Sequence, residues 1–318
     1  MREITHRDIR AAGRRFHIAE AGTGPLVLLL HGFPELWYSW RHQLTGLAEA
    51  GFHAVAPDMR GYGGSERPAG VEEYTIHHLV GDVVGLIGAL GAERAVVVGH
   101  DWGSQVAWHT ALMRPDLVRG VAGLSIPYRP RSGLPPLPAM RRALGEGFYM
   151  LHFQRPGVAE EELMRDVPRS FRRILAGTSA DASAIDPVVP DGGGFLDLYP
   201  EPGELPGWLT EEDIAVYARA FSETGFTGGL NWYRNLAANW ELTAPLNRAR
   251  VQVPALYLAG ERDFVIQGTD HDLLGTELRR WVPRLRDPIL LPGCGHWVQQ
   301  ERPDDVTAAL AAFASSLD

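Results

Sequence analysis

The run Val96-Val97-Val98-Gly99-His100-Asp101-Trp102-Gly103 constrains this chain more than any other segment. Its valines read as a buried strand, and Gly-x-Asp-x-Gly reads as a sharp strand-to-helix turn that lifts its central side chain above a sheet. Glycines flank that residue because a Cβ there would clash. Serine is the usual occupant of such a nucleophile elbow, and it attacks acyl carbon. The carboxylate of Asp101 is suited instead to displacement at sp³ carbon, leaving an alkyl ester that water can cleave at the Asp101 carbonyl. The expected reactions are opening of an epoxide or loss of a halide. The alternative is that Asp101 only caps the following helix, where aspartate is a favoured residue.

Two further elements of an ester mechanism follow in the right chain order. Ala255 to Ala259 reads as a buried strand ending in the loop Gly260-Glu261-Arg262-Asp263, whose Asp263 can orient an imidazole. Ile289-Leu290-Leu291 reads as the next strand, and Pro292-Gly293-Cys294-Gly295-His296 can swing His296 towards the elbow. Glu261 is the rival for the acid. The core strand Leu26 to Leu30 runs into His31-Gly32-Phe33-Pro34-Glu35, where such a loop supplies an amide donor. The backbone N–H groups of Phe33 and Trp102 are expected to face the oxygen that becomes negative when water attacks the ester, with Pro34 a candidate for a cis peptide.

These stretches resemble a known family. The chain is similar to the soluble epoxide hydrolases of the α/β-hydrolase superfamily over nearly its whole length. The resemblance rests on His31-Gly32-Phe33-Pro34-Glu35 with Trp37-Tyr38-Ser39-Trp40-Arg41, on Asp58-Met59-Arg60-Gly61-Tyr62-Gly63-Gly64-Ser65, and on Gly99 to Gly103. Phe153-Gln154-Arg155-Pro156-Gly157, Asn231-Trp232-Tyr233-Arg234-Asn235 and Gly295-His296-Trp297 extend it, and the Asn-Trp-Tyr-Arg-Asn stretch is the most particular. It implies a mainly parallel eight-stranded sheet flanked by helices, with residues 1–128 and 245–318 as the core and 129–244 as a helical cap. It also makes Tyr149 and Tyr233 the cap pair that hydrogen-bonds the epoxide oxygen and donates a proton as the ring opens. That need is physical, because an alkoxide leaving group is a strong base, whereas a halide needs no proton.

The runner-up chemistry is dehalogenation by the same Asp101, His296 and Asp263. Haloalkane dehalogenases usually carry Asn or Glu where this chain has Phe33, and fluoroacetate dehalogenases carry Arg after the nucleophile where it has Trp102. Ester hydrolysis by Ser104 is disfavoured, since Trp102 and Val106 replace the flanking glycines. Cys294 is a conceivable thiol nucleophile or a small packing residue. A non-catalytic binding protein built on the same fold is the remaining class. A pocket of Phe33, Trp102, Phe148, Trp232 and Trp297 would favour aromatic or lipid-like epoxides, although each of these is equally a core candidate.

Composition narrows the remaining choices. A net charge of −9 argues against nucleic acid, which needs a basic surface. A single cysteine excludes an internal disulfide and a cysteine metal cluster, and the absence of lysine excludes Schiff-base chemistry. No cofactor or metal is expected. No apolar run approaches a membrane span and Met1 to Asp8 lacks an apolar signal region, so the expected location is cytoplasmic. The oligomeric state stays open, a homodimer included.

Locally, Arg14 to Ala19 and the strand from Leu26 suggest a hairpin joined through Gly22-Thr23-Gly24-Pro25. His53 to Pro57 and Val121 to Leu124 read as strands and His77 to Leu90 as an amphipathic helix. Thr178 to Gly207 is rich in Gly, Pro, Asp and Ser, and reads equally as a solvated loop or an access lid.

Overall fold

The apolar runs form the centre of one mixed sheet. The computed structural model describes residues 3–182 and 185–317. Strands β1 (Thr5–Ala11), β2 (Arg14–Ala21), β3 (Leu26–Leu30), β4 (His53–Pro57), β5 (Ala95–His100), β6 (Val118–Leu124), β7 (Ala255–Gly260) and β8 (Ile289–Leu291) pair in the order β1-β2-β4-β3-β5-β6-β7-β8. β2 runs antiparallel to β1 and β4, and all other neighbours are parallel. Every residue of β3, β5 and β7 is buried, as strands covered on both faces require.

The hairpin expected between β2 and β3 is not formed. β2 pairs instead with β1 and, antiparallel, with β4, and β3 lies beyond β4. The connecting Gly22 and Gly24 adopt positive φ and press against the segment entering β4: a Cβ would meet Phe52 O at 2.4 Å and Gly51 O at 2.2 Å respectively. The chain therefore crosses over the start of β4, which inserts between β2 and β3.

Helix α1 (Arg41–Glu49) covers one sheet face, and α2 (Ile76–Ala89) and α3 (Trp102–Met113) cover the other. The apolar stripe expected over His77 to Leu90 is that of α2, with Leu79, Val83, Leu86 and Ile87 buried. Between β6 and β7 the chain is helical: α4 (Pro136–Leu144), α5 (Tyr149–His152), α6 (Val158–Met164), α7 (Val167–Gly177), α8 (Glu211–Thr224), α9 (Thr227–Arg234) and α10 (Leu236–Leu242). Helices α11 (His271–Trp281), α12 (Val298–Glu301) and α13 (Pro303–Ser315) complete the fold, α13 packing with α1 through Leu310 and Phe313.

The helical insertion buries Phe153, Phe171, Tyr217, Phe221 and Leu230 in the same apolar cluster as Phe33, Tyr62 and Trp102 of the sheet's carboxyl edge. An ion pair of 2.9 Å from Arg41 to Asp213 ties α1 to α8. The 178–207 stretch is not a purely solvated loop, because it buries Val189, Phe195, Leu196 and Tyr199; residues 183 and 184 of it lie outside the described residues. Among the described residues no helix is long and apolar enough to cross a membrane.

Candidate active site

Asp101 follows the last residue of β5 and holds φ 51°, ψ −121°, a conformation that costs a non-glycine residue energy and is kept only where its surroundings over-determine it. The surroundings are the glycines. A Cβ on Gly99 would lie 2.0 Å from Gly103 O, and one on Gly103 would lie 2.1 Å from Leu30 O. Strand β3, the elbow and α3 therefore meet closer than any side chain allows. Gly32 is equally constrained, since its Cβ would approach Asp101 Oδ1 to 2.4 Å. That closeness lets the Phe33 amide donate to Asp101 Oδ1 at 2.9 Å, and the Trp102 amide also bonds the carboxylate. The Phe33–Pro34 peptide is cis. Burial raises the Asp101 carboxyl above its usual range, against the opposing pull of His296, His100 and the two amides.

The loops after β7 and β8 converge on the same point. His296 Nδ1 lies 3.0 Å from Asp263 Oδ1, and Nε2 lies 3.9 Å from Asp101 Oδ2. The first is a hydrogen bond; the second is too long for one and leaves Nε2 facing the carboxylate. Burial works against ionisation of Asp263, yet His296 and a Ser125 hydrogen bond outweigh it and hold the carboxyl below its ordinary value. Ser125, at the end of β6, also stands 3.0 Å from His296 Nδ1. The rival Glu261 is exposed, while Asp263 is fully buried against the ring.

Tyr149 on α5 and Tyr233 on α9 reach the elbow from above, their rings 6.2 Å apart. Tyr233 packs edge-on to Trp102 at 5.1 Å and Phe33 at 5.5 Å. Burial, and then the charge of Asp101, push both phenols well above their usual range, so both remain protonated donors. Both line a cavity of about 630 Å³ together with Asp101, Trp102 and Phe148.

A family model described as alpha/beta hydrolase fold matches residues 25–303. The chain is 47% identical to epoxide hydrolase A of Mycobacterium tuberculosis, over 99% of this chain and 98% of that protein. It is 43% identical to epoxide hydrolase 3 of Siraitia grosvenorii, over 98% of this chain and 99% of that one. Among solved structures, epoxide hydrolase A from Mycobacterium thermoresistibile superposes with a TM-score of 0.94 at 47% identity, covering 99% of both chains. The chain belongs to the α/β-hydrolase-fold epoxide hydrolase family.

Within this family member, three of the aromatic residues expected in the pocket are core residues. Trp232 donates its indole N–H to Arg60 O at 3.2 Å, Trp297 donates to Leu175 O at 3.0 Å, and Phe33 is buried among Phe153, Phe226 and Tyr233. None of the three is among the cavity-lining residues; Trp102 and Phe148 are. Ser104 spends its hydroxyl on Ile126 O at 2.7 Å, and burial pushes the Cys294 thiol up, away from the reactive thiolate.

Beneath the site lies a polar network that the sequence did not reveal. Glu35, fully buried, lies 2.7 Å from His100 Nδ1 and accepts from the Gly32 amide at 3.0 Å and Gln299 Nε2 at 2.8 Å. His100 Nε2 in turn meets the His296 carbonyl at 2.8 Å. One carboxylate thereby links the Phe33 loop, the elbow and the histidine loop. Burial acts to lower the His100 pKa, but Glu35 outweighs it and raises it to about 9, so the buried pair is ionic. Sequence reasoning also passed over Gln105 and His109, which line the cavity four and eight residues beyond Asp101.

Proposed function

We infer that this enzyme converts an epoxide and water to a vicinal diol through a covalent ester on Asp101. Tyr149 and Tyr233 hold the epoxide oxygen. Asp101 Oδ2 attacks one ring carbon, the carbon–oxygen bond breaks, and the new alkoxide takes a proton from one phenol. His296, kept neutral and aimed by Asp263, then removes a proton from water, which attacks the Asp101 carbonyl carbon. The negative charge develops on Oδ1, which the Phe33 and Trp102 amides bind. Collapse releases the second diol oxygen, which takes the proton from His296, and the proton left on the Asp101 carboxyl returns to the phenolate. Every group is restored.

The observation that carries this reading is the placement of two buried, protonated phenols in the same cavity as Asp101. An alkoxide needs that proton, whereas a halide would leave without it. Residues 129–244 act as the cap, holding the proton donors over a core of residues 1–128 and 245–318. The substrate is a small-molecule epoxide, and we place the enzyme in the cytoplasm. Product analysis tests the reading: purified protein given styrene oxide, a fatty-acid epoxide, a primary haloalkane and fluoroacetate should release diol and no halide. Halide without diol would make it a dehalogenase, and binding without turnover would make it a non-catalytic relative.

A further inference from the structure

Helix α3 carries the elbow, and its period of 3.6 residues sets Asp101, Gln105, His109 and Leu112 on one stripe. All four line the cavity. Beside this stripe, Ser104 Oγ and Trp108 Nε1 both donate to Ile126 O, at 2.7 and 3.1 Å, so their polar atoms are already engaged.

Most polar groups on the cavity wall are satisfied within the protein. Tyr128 donates to Ala249 O at 3.0 Å, Trp240 to Ser132 O at 2.9 Å and Thr243 to Asn239 O at 2.7 Å. Gln105 differs, because its side-chain amide makes no hydrogen bond among the described residues. His109 uses only Nδ1, which lies 2.7 Å from Gln105 O. A carbonyl oxygen can only accept, so Nδ1 carries the proton and Nε2 is left as an acceptor in the neutral ring. Burial holds this imidazole below its ordinary range and keeps it neutral. The cavity wall is largely apolar, with Ile76, Leu112, Met140, Leu144, Leu236 and Phe264, and also carries Arg129 and Arg131. A polar pair with unused capacity on a largely apolar wall is what hydrogen-bond selection of a substrate requires.

We propose that Gln105 and His109 form a second polar subsite that selects epoxides bearing a hydroxyl group roughly 6 to 12 Å from the ring, the rise of four to eight helical residues from Asp101. The hydroxyl donates to His109 Nε2 and bonds the Gln105 amide. This rests on the epoxide hydrolase reading and adds a substrate class to it.

The test compares a terminal epoxyalkane of about ten carbons, long enough to span that rise, with its omega-hydroxy analogue. Both are assayed with wild type, His109→Leu and Gln105→Leu. The readout is the ratio of kcat/KM for hydroxylated over plain substrate. Each variant should lower that ratio about five- to tenfold, as expected when a hydroxyl loses its partner inside an apolar cavity. An unchanged ratio in both variants overturns the subsite and leaves the epoxide hydrolase reading intact. Loss of all turnover in both variants also overturns it, by making the pair structural. Failure of wild type on both epoxides would overturn the underlying reading with it.

Discussion

Replacing Glu35 by Gln removes the negative half of a fully buried ion pair while keeping its shape. The consequence follows from His100, whose pKa Glu35 raises to about 9 from the ordinary 6.5. A histidine whose folded pKa lies above its unfolded one contributes stability that is fully present below about pH 6.5 and is lost as pH rises through about 9. That displacement corresponds to about 3 kcal/mol at 1.36 kcal/mol per unit. For a chain of 318 residues, with an unfolding entropy of about 2.1 cal/mol/K per residue, it amounts to a Tm change of about 4 to 5 °C. Glu35→Gln takes away the largest upward pull, leaving only those of Asp101 and the His296 carbonyl against burial, and most of the contribution disappears. Calorimetry at pH 6 and pH 10 should therefore show wild type losing about 4 to 5 °C more than the variant across that interval. His17, also raised, beside Asp58, is common to both proteins and cancels in the comparison. Equal losses in the two proteins would refute the ionic assignment of the pair.

Tyr149→Phe and Tyr233→Phe should each slow ring opening about 10- to 100-fold, the worth of one hydrogen bond to a developing charge, followed by single-turnover tryptophan fluorescence. A change below about twofold in both would remove the phenols from the proton-donor role. Phe148→Ala should reorder substrate preference because Phe148 lines the cavity, whereas Trp232→Ala should cost about 3 to 5 kcal/mol of stability in denaturant unfolding with preference order retained. A reordered preference in the Trp232 variant would return that residue to the pocket.

The parts of the site legible in the sequence are those whose geometry is local. Gly99, Asp101 and Gly103 announce a turn that only glycine permits, and His296 and Asp263 follow strands whose apolar runs are continuous. What was illegible depends on contacts between distant segments. The β2–β3 hairpin was expected because its strands are consecutive, but β4, which begins 32 residues after β2 ends, takes the place between them. Glu35 and His100 are 65 residues apart, and neither segment signals its partner. Trp232 and Trp297 have the composition of pocket residues, yet carbonyls of Arg60 and Leu175 engage their indoles in the core. Gln105 and His109 could have been found, because helical periodicity alone places them on the stripe of Asp101.

The central claim is the ester on Asp101, and His296→Gln tests it most directly. The variant keeps the nucleophile and the tyrosines and lacks the base that activates water. Mixed with an epoxide and measured by intact-protein mass spectrometry, it should gain the whole mass of the epoxide, with the adduct on the peptide containing Asp101. Normal turnover, no mass gain, or an adduct on another residue would contradict the mechanism.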